Sequence, residues 1–177
     1  MLEHSVLSYR SDDQFRSVIG QFVATGVERS EAVLVVTSSL NIELLREHLG
    51  KDSRSVEFVD SSGFYSTPAS ALEGFGAFSE DKLRRGIRWV RVVGEPVWSG
   101  RSAAEVRAWT RYESLFNLVF AAFPLTVVCP YDERVLDPEI VSNARCTHPR
   151  ILSGDQGLSM SPDYCTPERF ALESESC

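Results

Sequence analysis

Hydrophobic positions along the chain alternate between two rhythms, one suited to strands and one to helices. Residues 4–9 alternate in part and predict a first strand. Ser11-Asp12-Asp13 then marks a helix start, because a serine can cap and acids suit the positive end of a helix. Phe15, Val18, Ile19, Phe22 and Val23 recur at helical spacing as far as Gly26, a natural stop. Residues 32–37, Ala-Val-Leu-Val-Val-Thr, are a continuous β-branched run, as in a strand buried on both faces. A second helix carries Leu40, Leu44, Leu45 and Leu49, with Ser39 or Asn41 as its cap and Gly50 as its end.

The same alternation continues. Residues 56–59 form a short strand, and Thr67-Pro68 opens a third helix with Leu72, Phe75, Phe78 and Leu83 that stops at Gly86. Residues 87–93 predict a further strand, broken by Gly94-Glu95-Pro96. Ser102 caps a long helix to about residue 122, residues 125–129 form a strongly hydrophobic strand, and Asp137-Pro138 starts a short helix to Ala144. Strands alternating with helices predict an α/β fold: a three-layer sandwich with a mainly parallel central sheet and right-handed crossovers. The expected organisation is one domain over residues 1–152 and a polar, partly ordered tail over 153–177, weakly ordered at its end.

Composition narrows the class. Of 177 residues, 43% are hydrophobic and 24% charged, enough to bury a continuous core. The net charge of -7 argues against direct nucleic-acid binding or attraction to an anionic membrane. No stretch of about 18 apolar residues suggests a span, and the start lacks the pattern of a secretory signal. The expectation is a cytoplasmic location. Cys129, Cys146, Cys165 and Cys177 fit no zinc spacing and are expected as free thiols.

In an open parallel sheet, ligands bind beyond the carboxyl ends of the strands. Those ends carry Tyr9, Thr37, Asp60 to Tyr65, Glu95 to Trp98, and Tyr131-Asp132, which suits a pocket for a small organic ligand. Neither phosphate-binding glycine motif is present, and the loop after the first strand has no glycine. Glu95 reads as a pocket carboxylate or as a loop acid paired with Arg91. Glu113 and Asn117 share a helix face, as a polar network in which Arg91 or Arg111 would partner a buried Glu113. Cys129 with His148 could make a nucleophile and base, although a buried cysteine is more often a small apolar residue. His4 and His148 could be neighbours, but two histidines without a third ligand are a weak metal signal. No metal and no cofactor are expected.

An ordered set of residues extends this reading: His4 and Tyr9, Gly26-x-x-x-x-Glu31, Tyr65-x-x-Pro68, Arg91-x-x-Gly94-Glu95-Pro96-x-Trp98, Arg111-Tyr112-Glu113-x-x-x-Asn117, Cys129-Pro130-Tyr131-Asp132 and Thr147-His148-Pro149. Over roughly residues 4–167 the chain resembles the MEDS family, the methanogen/methylotroph sensory domain. The resemblance implies a degenerate RecA/KaiC-like fold without a P-loop and a sensory, non-catalytic role. It also implies small organic or hydrocarbon-derived ligands, and output through a histidine-kinase-like, anti-sigma-factor or DNA-binding partner. The sequence departs from the family at Ser30, where the family's usual residue is glycine. No output domain follows the resembling region, as in a piece of a longer protein or a stand-alone protein that signals through a partner.

The ligand-binding candidates are therefore His4, Tyr9, Tyr65, Arg91, Glu95, Trp98, Tyr112, Glu113, Asn117, Cys129, Tyr131, Asp132 and His148, with no catalytic residue among them. The expected partners are a small organic ligand and a regulatory protein of the kinase or anti-sigma type, and a homodimer is open to the chain. Two alternatives compete. One is a ligand-independent interaction module anchored by Trp89, Trp98 and Trp109. The other is an enzyme, either a residual nucleotide hydrolase dependent on Asp132 or a Cys/His hydrolase.

Overall fold

Strand β1 (Glu3–Tyr9) leads into helix α1 (Asp12–Glu28), where the Ser11 hydroxyl accepts the Gln14 amide and so closes the first turn. This is a computed structural model, and it describes residues 1–154 and 157–174. Helix α1 runs past Gly26, where the spacing predicts a stop. Gly26 is buried instead, and a Cβ there would meet the Arg91 side chain at 2.7 Å and Val33 at 2.8 Å. The glycine thus serves close packing of helix on strand. The turn is made by Ser30, whose φ of 58° lies in the left-handed region that favours glycine.

Strand β2 (Ala32–Thr37) and helix α2 (Ser39–Leu49) follow. Ser38, rather than Ser39 or Asn41, caps α2. A 3₁₀ turn over Gly50–Ser55 precedes β3 (Val56–Asp60), the short α3 (Ser61–Phe64) and α4 (Pro68–Arg84). Thr67 and Ser70 form a capping box at the start of α4, with Pro68 in the first turn. Strand β4 (Val90–Gly94) begins later than the apolar pattern predicts. Helix α5 (Ala103–Val119) opens on a second capping box, Ser102 with Glu105. Strand β5 (Leu125–Asp132) and helix α6 (Pro138–Thr147) follow.

Beyond α6 the chain adds β6 (Arg150–Ser153), β7 (Gly157–Met160) and α7 (Pro167–Ser174). The expectation of a weakly ordered end falls chiefly on residues 175–177, which lie outside the described residues.

The sheet order is β3-β2-β4-β5-β1-β6-β7. Every neighbouring pair is parallel except β6 with β7. One face carries α1 and α2 over Leu7, Tyr9, Val33, Val35, Val93 and Val128. The other carries α3 to α6 over Val6, Leu34, Val36, Val92, Val127 and Cys129. The molecule is the three-layer α/β sandwich that the alternation predicts. Because side chains along a strand alternate between faces, neighbours in sequence are assigned to different layers. The same alternation divides the strand-end residues between the two layers. Among the described residues, no helix is long and apolar enough to cross a membrane.

Candidate functional site

The thirteen candidate residues do not form one cleft. The sheet divides most of them into two groups. On the α1/α2 side, the ends of β1, β2 and β4 bring together Tyr9, Thr37 and Glu95, joined by Asn41 from α2. The Tyr9 hydroxyl donates to Glu95 Oε1 at 2.9 Å, and the Asn41 amide donates to Glu95 Oε2 at 2.9 Å and to the Tyr9 oxygen at 3.3 Å. The Thr37 hydroxyl donates to Glu95 Oε2. Burial, reinforced by the Glu95 carboxylate, pushes the Tyr9 phenol above its ordinary value.

Asp132 follows on the same side. Arg134 bridges it to Asp12 at 2.8 Å each and lies over the Tyr9 ring. The Arg134 guanidinium holds the Asp132 carboxyl below the usual carboxylate range. These groups floor a cleft of about 320 Å³ whose lips include Leu40 and Val135, 74% and 77% exposed. Polar floor and apolar lips are the usual make-up of a small-molecule site.

On the α3–α6 side, β1, α5, β5 and the residue after α6 contribute His4, Glu113, Asn117, Cys129 and His148, most of them fully buried. His4 Nε2 lies 3.4 Å from Cys129 Sγ and 3.8 Å from Glu113 Oε2. His148 Nε2 lies 3.6 Å from the same carboxylate oxygen, and the two imidazole centroids are 4.1 Å apart.

The tautomers follow from the partners. Asn117 Nδ2 donates to the Thr147 carbonyl at 2.8 Å, so its Oδ1 accepts from His4 Nδ1 at 3.1 Å. His148 Nδ1 donates to the Ala144 carbonyl at 2.7 Å. Both Nε2 atoms therefore offer lone pairs to one point. Burial lowers His4 to about 4 and raises Glu113 to about 8. Burial also lowers His148, helped by His4, and raises the Cys129 thiol, helped by Glu113. Tyr65, Tyr112 and Tyr131 close the cluster as buried aromatics. Burial, reinforced by the neighbouring Glu113 carboxyl, raises the Tyr131 phenol.

Several expectations change with this placement. Arg91 joins neither group: it sits near the other end of β4, pairs with Glu31 at 2.6 Å and stacks on Phe22. Neither Arg91 nor Arg111 partners Glu113. The histidines surround it, and Arg111 is exposed. Trp109 (1% exposed) is a core residue, and Trp98 (7%) is largely buried. Trp89 is half-buried and donates to Thr126 at 2.9 Å. Asn41 and Arg134 were not among the candidates. Asn41 reads as a helix cap in sequence, and only the packing of α2 over β2 and β3 shows its amide turned to Glu95.

A larger cavity of about 740 Å³ lies where α5 meets α6 and α7, lined by Trp98, Arg101, Arg107, Ile140 and Phe170 among others. Trp98 borders both cavities. Its ring packs 5.9 Å from Tyr131, which in turn lies 6.0 Å from His148.

No curated protein matches the chain. The profile of the methanogen/methylotroph, DcmR sensory domain matches residues 3–149, a span that ends between α6 and β6 and holds every residue of both groups. The chain belongs to the MEDS family of sensory domains.

Proposed function

We propose that this sensory domain recognises a small organic molecule at the strand-end cleft and passes the binding event to a regulatory protein partner of the kinase, anti-sigma or transcription type. The observation that supports it is the Glu95 carboxylate, held by Tyr9, Thr37 and Asn41 from three different elements, beneath an open apolar rim. A carboxylate fixed by so many donors is preorganised, so a ligand donor group meets it at little ordering cost. The nearby acids Asp12 and Asp132 outnumber Arg134, which favours ligands carrying a hydroxyl or amine donor. The strand-end cleft is preferred to the larger cavity because the ends of β1, β2, β4 and β5 converge there.

A binding role is favoured over catalysis. The Tyr9 and Thr37 hydroxyls are engaged in fixing the Glu95 carboxylate, and the loop after β1 lacks the glycines that would wrap phosphates. The Trp98–Tyr131 stack offers a mechanical route from the cleft to the other side of the sheet. A ligand that displaces Trp98 would bias how β5 and α5 pack, and a partner reading those elements would detect it.

A thermal-unfolding screen of short-chain alcohols and amines tests the reading. A ligand at about 100-fold its Kd should stabilise by about 2.7 kcal/mol, a rise of roughly 5–10 °C in Tm. Glu95→Gln should abolish that rise while leaving the unliganded Tm within a few degrees. Ligands that stabilise both forms equally would place binding elsewhere and remove the basis of the proposal.

A further inference from the structure

We propose that His4, Glu113, Cys129 and His148 form a binding site for one zinc-like divalent transition-metal ion, enclosed between α5 and the sheet. Their four donor atoms lie within 4.8 Å of one another and are all buried. The separations of His4 Nε2 and His148 Nε2 from Glu113 Oε2 are 3.8 and 3.6 Å, and Cys129 Sγ lies 4.0 Å from it. The imidazole–carboxylate separations are too long for hydrogen bonds, and all of these spaces are too short to hold a bridging water. Metal–ligand bonds of about 2.0–2.3 Å set tetrahedral ligand atoms roughly 3.3–3.7 Å apart, which the observed spacing approaches.

Two further observations point the same way. Each histidine gives its Nδ1–H to a fixed oxygen, Asn117 Oδ1 or the Ala144 carbonyl, which is how metal-binding imidazoles are oriented. Of the atoms so presented, His148 Nε2 is buried without a hydrogen-bond partner, as is Oε1, the second oxygen of the Glu113 carboxyl. A self-sufficient polar network would satisfy its members, because orphaned buried polar atoms are costly.

Charge also balances. A dication with one thiolate, one carboxylate and two neutral imidazoles is neutral overall, the condition under which a buried ion is tolerated. Binding would release the protons of Cys129 and Glu113 to solvent, and no oxidant or reductant is needed. The mixture of imidazole, thiolate and carboxylate suits zinc rather than magnesium or calcium. With four protein ligands and no open position, the ion would tie the first strand of the family region to its last residues.

Titrating the chelator-treated, full chain with Co2+ tests this site. The expected result is one Co2+ per chain, with a thiolate-to-metal charge-transfer band and tetrahedral absorption that Zn2+ abolishes by displacement. Cys129→Ser should remove the charge-transfer band and weaken Co2+ binding at least about 10-fold. A variant with Cys146, Cys165 and Cys177 all changed to serine should keep the band. If the wild-type chain shows no thiolate band, or the band survives in Cys129→Ser, the site is wrong. Should Cys129→Ser fail to fold, the variant retaining Cys129 alone still decides, because loss of its band in a folded protein overturns the assignment.

Discussion

The two sides of the central sheet each hold a polar cluster built around a glutamate, one at an opening and one in the core. Around Glu95, the Tyr9, Thr37 and Asn41 donors all meet the carboxylate, and the groups border an open cleft. Around Glu113, the carboxylate is 2% exposed and has an oxygen with no hydrogen-bond partner. A satisfied network at an opening can exchange its solvent for a ligand at low cost. An unsatisfied network in the core is stable only if something else compensates it. The difference teaches that a list of polar residues from sequence can mix two physically unlike sites, and that burial with partner geometry separates them.

Substitutions on the two sides should differ accordingly. Trp109→Ala should cost the most, roughly 3–5 kcal/mol in urea denaturation, because Trp109 is fully buried against Tyr65, Tyr112 and Arg101 on the closed side. Asn117→Ala should cost about 1–3 kcal/mol by the same measurement, since it strips His4 Nδ1 and the Thr147 carbonyl of their partners in the interior. Ser30→Gly should raise stability by about 1 kcal/mol or less, by relieving a left-handed backbone at the β2 entry. Val135→Ser, at the exposed lip of the open cleft, should change stability by under about 0.5 kcal/mol. If Asn117→Ala proved as mild as Val135→Ser, the contrast between the closed and open sides would collapse.

Much of the fold is legible in the sequence. The run Ala32–Thr37 has no other comfortable home than a central strand, and its bounds match. Thr67-Pro68 and Ser102-x-x-Glu105 name their helix starts through capping chemistry. Strands β6 and β7 are not legible: each is four residues long, and their pairing depends on β1 rather than on any pattern of their own. Gly26 misleads as a stop, because its reason is the tertiary approach of Arg91.

The site was legible in its residue types but not in its grouping. Tyr131 and Asp132 are adjacent in sequence, yet strand alternation sends them to opposite layers. His4, Glu113, Cys129 and His148 are scattered over nearly the whole family region, and only the placement of β1 beside β5 unites them. The Ser30 departure also becomes intelligible. A φ of 58° is where glycine would be most at ease, and serine accepts it at modest strain.

The position of β1 has a consequence for anyone shortening this protein. It is flanked by β5 on one side and, through Ser5 and Val6, by β6 on the other. The matched family region ends at residue 149, one residue before β6 begins. A fragment cut at that boundary would keep all the site residues but strip the shield from its opening strand, leaving bare amides and carbonyls as a template for other chains. Such a fragment should be more prone to associate or precipitate than one that retains the hairpin, so working boundaries belong after Met160.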